Sequence, residues 1–225
     1  MRKTKLLLTF IVMVIIGSLP QTIWAEEQTT IAEWAFDSNS TVPDDQKIQA
    51  ATGNGTISFY SSDASAAVAP DGTAYGTIKF TSPVNKDMTE TSCLEAANHD
   101  NYIQVEFSTQ GLADPMFTLN IAQDPDAVLF VVTSVDDGTT WSLAKKTTQT
   151  MAWHQAEQFD IELAQTANSE KVIVRLLKGA SVSNDARLKG ISIKAGEYVA
   201  EPEPPTPSSN EMIATWPFAE GTAGQ

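Results

Sequence analysis

The sequence predicts an all-β protein. It reads as an antiparallel, jelly-roll-like β-sandwich over residues 26–195, a Pro/Glu-rich linker over 196–210, and the start of a second copy over 211–225. Three observations predict this. Apolar and polar residues alternate at period two through most of residues 26–194, which sends one set to a core and the other toward solvent. Gly, Asn, Asp, Ser and Pro separate the alternating runs, as tight turns require. No long stretch carries the 3.6-residue period of an amphipathic helix; Asp87–Ala97 is the one weak helix candidate.

Taken in order, Trp34–Phe36, Ile57–Tyr60 and Thr77–Phe80 are short strand candidates. Ile103, Val105 and Phe107 then alternate with Tyr102, Gln104 and Glu106, and Phe117, Leu119 and Ile121 with Met116, Thr118 and Asn120. Val128–Val132 is continuously apolar, the pattern of a central strand covered on both faces. Trp141–Leu143 is a short candidate, Phe159, Ile161 and Leu163 form another inward set, and so do Val172, Val174 and Leu176, with Ile173 and Arg175 facing outward. Leu188–Ile193 closes the module.

Composition narrows the function classes. The chain has 225 residues, 42% of them apolar, and a formal net charge of −14. That suffices for a packed core, and the acidity repels a phosphate backbone, so no nucleic-acid partner is expected through this module. A single cysteine excludes an internal disulfide and a Cys-based zinc cluster. Cys93 itself reads as a small buried apolar group rather than a nucleophile.

Residues 1–25 read as a secretory signal peptide. Arg2, Lys3 and Lys5 form a basic start; Leu6–Ile16 is apolar except for Thr9; Gly17, Ser18 and Pro20 break it; Ile23 and Ala25 supply a −3/−1 cleavage pair. The apolar run falls short of the roughly 20 residues that span a bilayer, so no stable membrane span is expected after cleavage, an uncleaved anchor being the alternative. The expected location is secreted or extracellular, with cell-surface association. Tyr198–Asn210 contains four prolines, favouring an extended tether. Across it, Ile31-Ala-Glu-Trp-Ala-Phe36 is repeated as Ile213-Ala-Thr-Trp-Pro-Phe218. Either the chain is the N-terminal piece of a longer protein or the second copy is degenerate.

Ser134-Val-Asp-Asp-Gly-Thr-Thr-Trp141 matches an Asp-box turn. In this structural turn of Ser134, Asp136, Gly138 and Trp141, the Asp side chains are expected to accept backbone N–H bonds, Gly138 to take a positive φ, and Trp141 to start the return strand by packing inward. His99 and His154 lack metal-ligand spacing. Asp44-Asp45, Asp136-Asp137 and the pair Asp124 and Asp126 offer the hard oxygens of a structural Ca²⁺, without fixing a ligand set; no other cofactor is expected. No GxSxG, P-loop, GxGxxG or Cys/His dyad is present, so no catalytic residues are expected. Tyr102, Gln104, Glu106, Thr118, Asn120 and Arg175 share the outward parity and read as one polar, aromatic-bearing sheet face. On it Tyr102, Gln104, Asn120 and Arg175, with Trp153 as a stacking platform, would contact polysaccharide or cell-wall glycan. The plainer alternative is an ordinary solvated face.

The run Asn101-Tyr-Ile-Gln-Val-Glu-Phe-Ser-Thr-Gln-Gly-Leu112, the strand Val128–Ser134 and the turn Asp136-Asp-Gly-Thr-Thr-Trp141 resemble the N-terminal β-sandwich repeats of secreted bacterial phosphoesterases. Those proteins carry endonuclease/exonuclease/phosphatase or calcineurin-like metallophosphoesterase domains further along. The resemblance implies a jelly-roll module with catalysis elsewhere, beyond residue 225. Three readings result: a non-catalytic glycan-contacting or accessory module, the non-catalytic N-terminal part of a phosphoesterase or nuclease, and a purely structural stalk repeat.

Overall fold

The computed structural model of the chain describes residues 28–37, 39–61, 67–70, 77–84, 87–98, 101–152, 155–179 and 185–197. The expected signal peptide, the second copy, and the linker past Glu197 lie outside them. The strands are β1 (Thr29–Ala35), β2 (Lys47–Gln49), β3 (Thr52–Gly53), β4 (Gly55–Tyr60), β5 (Ala67–Pro70), β6 (Ile78–Thr81), β7 (Tyr102–Phe107), β8 (Leu112–Ala122), β9 (Val128–Ser134), β10 (Ser142–Thr148), β11 (Glu157–Glu162), β12 (Val172–Lys178) and β13 (Asp185–Glu197). A short helix, α1 (Ser92–Ala96), falls inside the expected helical stretch. No helix among the described residues is long and apolar enough to cross a membrane.

These strands form two antiparallel sheets. The first runs β11-β8-β13-β1-β3, with β6 also on β13 and β5 on β6; the second runs β10-β9-β12-β7-β4-β2. The all-β sandwich expectation therefore holds. The chain changes sheet at every step between successive strands except the hairpins β5–β6 and β9–β10. Most pairings are consequently distant in sequence; β1 docks on β13, with Trp34 opposite Ile191. The last strand continues to Glu197, past the expected domain end, because Gly196 and Glu197 pair with Ala113 and Leu112.

Alternation builds the core between the sheets. Ile103 and Val105 meet Phe117, Leu119 and Ile121, together with Val172, Val174 and Leu176, all fully buried. Each such side chain contributes about 1.5–3 kcal/mol relative to exposure. Trp34 joins them with its indole N–H satisfied, since Nε1 donates to the Ile48 carbonyl at 3.1 Å. Its ring lies so close to β4 that a Cβ on Gly55 would stand 2.6 Å from it. Phe159, expected in the core, is only half buried at the core margin, because β11 is the edge strand of its sheet.

A smaller core lies outside the second sheet. Phe130 and Val132 of β9 and Leu177 of β12 face outward, and Cys93 and Ala97 cover them, with Met88 and Leu94 packed alongside. The Thr89 and Ser92 side chains bond each other's backbone N–H at 3.1 and 2.9 Å and tie the turn into α1. This cover accounts for the unbroken apolar run Val128–Val132. Cys93 is buried; burial and then the Glu90 charge push its thiol pKa up, away from thiolate chemistry.

Candidate functional site

The outward face of the second sheet carries a row of aromatic rings and one guanidinium. Register builds it: Tyr60 at the end of β4 is opposite Tyr102 at the start of β7, and Arg175 of β12 is opposite Gln104, two residues further along β7. Tyr60 and Tyr102 stack at 4.9 Å between ring centroids. Arg175 lies over Tyr102 at 4.0 Å and over Trp141 at 4.5 Å. The strand order β4-β7-β12 places Tyr60 and Arg175 on opposite sides of Tyr102. Trp141, leading into β10, completes the sequence Tyr60, Tyr102, Arg175, Trp141.

Hydrogen bonds hold this ladder. Arg175 Nε donates to Gln104 Oε1 at 2.7 Å, and Gln104 Nε2 donates to Glu106 Oε1 at 2.5 Å. Arg175 Nη1 donates to the Ala97 carbonyl behind α1. Trp141 Nε1 donates to Asn98 Oδ1 at 2.9 Å. Lys171 bridges Asp137 at 2.8 Å and Glu106 at 3.5 Å. Burial pushes the Tyr102 phenol pKa up, with Arg175 opposing and Tyr60 and Glu106 adding to the rise. Burial likewise pulls Arg175 below its ordinary value, opposed by Tyr102 and Glu106. Tyr60, 43% exposed, is the open end of the ladder.

Beside it, the turn between β9 and β10 is held by Asp136 and Ser134. Gly138 has φ +81°, and Asp137 φ +56°. Asp136 Oδ1 accepts from the Ser134 hydroxyl at 2.7 Å and the Thr140 N–H at 2.9 Å, and Oδ2 from the Thr140 hydroxyl at 2.7 Å. Ser134 Oγ accepts from the Gly138 N–H at 2.9 Å. These bonds, Thr140's first, lower Asp136 to about 2.

The single face expected from parity is two faces. Tyr102, Gln104, Glu106 and Arg175 come together, but Asn120 and Thr118 belong to β8 in the other sheet and point out of the opposite side of the sandwich. There Asn120 borders a shallow hollow of about 300 Å³ with Glu33, Gly190 and Ser192. Trp141 is a second correction: it does not pack inward but lies half buried on the outer face, against the Cys93–Phe130 cluster and Arg175. Trp153, His99 and His154 lie outside the described residues. Sequence reasoning missed Tyr60 and Asn98. Tyr60 had a signal, since Ile57 and Phe59 set its strand's inward parity; Asn98 follows a short helix and had none. Among the described residues no group of three or more His, Cys, Asp or Glu is arranged to hold a metal.

No family model matches this chain, and no curated protein does. Among solved structures, it is similar to the xylan-binding module CBM15 at 10% identity and a TM-score of 0.43, covering 68% of this chain and 98% of that one. It is similar to CBM29_1, a family 29 carbohydrate-binding module from Piromyces equi, at 7% identity and a TM-score of 0.42, over 75% of this chain and 91% of that one. A third is TmCBM61 in complex with β-1,4-galactotriose, at 7% identity and a TM-score of 0.38, over 62% and 86%. At these scores the functional reading rests on the chain's own residues.

Proposed function

We propose that this chain is a non-catalytic, glycan-contacting β-sandwich module of an exported protein, and that the Tyr60–Tyr102–Arg175–Trp141 ladder is its contact surface. The observation that carries this reading is the ladder itself: three aromatic rings and a cation arrayed over β4, β7, β12 and the turn into β10 on one outer face. Tyr60 offers a free ring for the apolar C–H face of a sugar. The Tyr102 hydroxyl, Gln104 and Glu106 supply donors and acceptors for its hydroxyl groups. Because Tyr60 and Tyr102 are stacked and Arg175 and Trp141 are hydrogen-bonded before any ligand arrives, little side-chain ordering remains to oppose binding.

Native affinity electrophoresis in gels containing arabinoxylan, galactan or mixed-linkage β-glucan tests this. Retardation by at least one polysaccharide is expected, lost in Tyr60→Ala/Tyr102→Ala. Unchanged retardation in that variant, or none with any of the three, removes the ladder as a glycan surface. Tyr60→Ala alone guards against misfolding, because Tyr60 is the exposed end of the row. The setting we infer is an accessory unit of a multidomain extracellular protein. In the phosphoesterase-like version, catalysis belongs to a separate domain, and metal-ligating Asp/His/Asn motifs in the downstream reading frame are the expected sign.

A further inference from the structure

The two sheets also leave a groove along one side of the sandwich, between their edge strands β10 and β11. It has a volume of about 540 Å³, within the roughly 300–1,000 Å³ usual for small-molecule pockets. Met116, Leu143, Ala144 and Leu163 give it apolar walls, and Thr133, Ser142, Lys145, Glu162 and Gln165 bring polar groups to it. The register of β10 shifts between Leu143 and Lys145, and such an irregularity on an edge strand re-aims its side chains. Lys145 Nζ donates to the Asp160 carbonyl at 2.8 Å, joining the two sheets across the opening.

Thr133 distinguishes this groove from an unfilled seam. It shares its parity on β9 with Leu129 and Val131, the inward side, where an apolar residue would be expected. It is only 5% exposed, yet no hydrogen bond to its hydroxyl occurs among the described residues. The hydroxyl is not sealed inside the fold; as part of the groove lining it is open to what enters there. The Glu162 carboxylate and the Gln165 amide also line the groove without a hydrogen-bond partner among the described residues. Donors, acceptors and apolar walls thus converge, and the two acids Asp160 and Glu162 outnumber the one cation, Lys145, which disfavours an anion.

We propose that this groove is a second binding site, separate from the aromatic ladder, and that it takes a compact neutral sugar of one or two rings, with the Thr133 hydroxyl as its innermost contact. The apolar walls receive the C–H face of the ring. Thr133, Glu162 and Gln165 exchange hydrogen bonds with its hydroxyl groups.

The test is a titration of the ¹⁵N-labelled full chain with xylobiose and with cellobiose, followed by amide shifts. Saturable shifts at Thr133, Leu163 and Gln165 are expected with at least one of them. Thr133→Val should weaken that binding about tenfold, the loss of one buried hydrogen bond. The same change should leave the thermal midpoint nearly unchanged, because the hydroxyl opens to the groove and holds no other part of the fold. Glu162→Gln, at an exposed position, should weaken binding without altering the midpoint. The proposal is overturned by an absence of saturable shifts at those residues with either disaccharide. Undiminished affinity in Thr133→Val, or tighter binding of glucuronate than of both neutral disaccharides, overturns it too. Shifts confined to Tyr60, Tyr102 and Arg175 also reject the groove while leaving the ladder standing; groove shifts that persist in Tyr60→Ala/Tyr102→Ala show the two sites to be independent.

Discussion

The two outward faces of this sandwich are written in the same alternating code and end up unlike each other. Outside the first sheet, short polar groups bond among themselves: the Thr118 hydroxyl donates to Asp160 at 2.7 Å, and Gln158 Nε2 reaches the same carboxylate at 3.1 Å. Gly190 and Ala35 leave that surface low around Asn120. Outside the second sheet, Phe130, Val132 and Leu177 are roofed by Cys93 and Ala97, and the remainder holds the ladder. An outward position is therefore not one environment. What decides it is whether another segment can dock there, and α1 docks on only one of the two sheets.

The sharpest way to break this comparison is to remove one outward side chain from each face. Phe130→Ala should lower unfolding stability by about 3–5 kcal/mol, the usual cost of deleting a buried phenyl group, although Phe130 lies outside the main core. Asn120→Ala should change it by less than about 0.5 kcal/mol, as at most surface sites. Urea melts of the two variants decide it. Similar costs would mean that the helix cover contributes nothing and that the two faces are equivalent.

A smaller effect separates the ladder from ordinary surface charge. Arg175→Lys keeps the charge but loses the flat group between Tyr102 and Trp141 and the Nε bond to Gln104. A loss of about 1–3 kcal/mol is expected from the desolvated stacking and the charge-assisted bond together. Lys194→Arg on the first sheet's outer side should be neutral. Equal melts for Arg175→Lys and the parent would show the ladder to be loosely held.

How much of this was legible follows from the same contrast. Period two correctly put Tyr102, Gln104 and Arg175 outside and Ile103, Val105 and Leu176 inside, because parity is local. Lys178, on the same parity as Leu176, drew no expectation from the sequence; the structure buries it with its ammonium donating to the Ser82 carbonyl at 2.8 Å, and burial pulls its pKa down to about 8, Asp185 opposing. Asn120 was joined to the wrong partners because sheet membership depends on pairings such as β8 with β13, far apart in sequence. The sense of Trp141 failed for another reason. Its neighbour Asn98, which accepts its indole N–H, comes from a loop after α1 that carries no periodic signal.

The smallest expected effect concerns the turn that delivers Trp141 to the ladder, and it sharpens the comparison by pH. Asp136 is held at about 2, below its ordinary 3.8, by bonds from Thr140 and Ser134. A depressed carboxyl favours the folded state fully above the unfolded value and progressively less as pH falls from near 4 through about 2. The first sheet's outer acid Asp160 lies on a strand, not in such a turn. Acid titration followed by Trp141 fluorescence should therefore show a change in this window, absent in Asp136→Asn, while Asp160→Asn retains it. The effect is small because the carboxylate is exposed to solvent, which screens its bonds. A titration in Asp136→Asn that superimposes on the parent's would mean that the Trp141 end of the ladder is positioned by Asn98 and Arg175 alone, and that the turn only follows them.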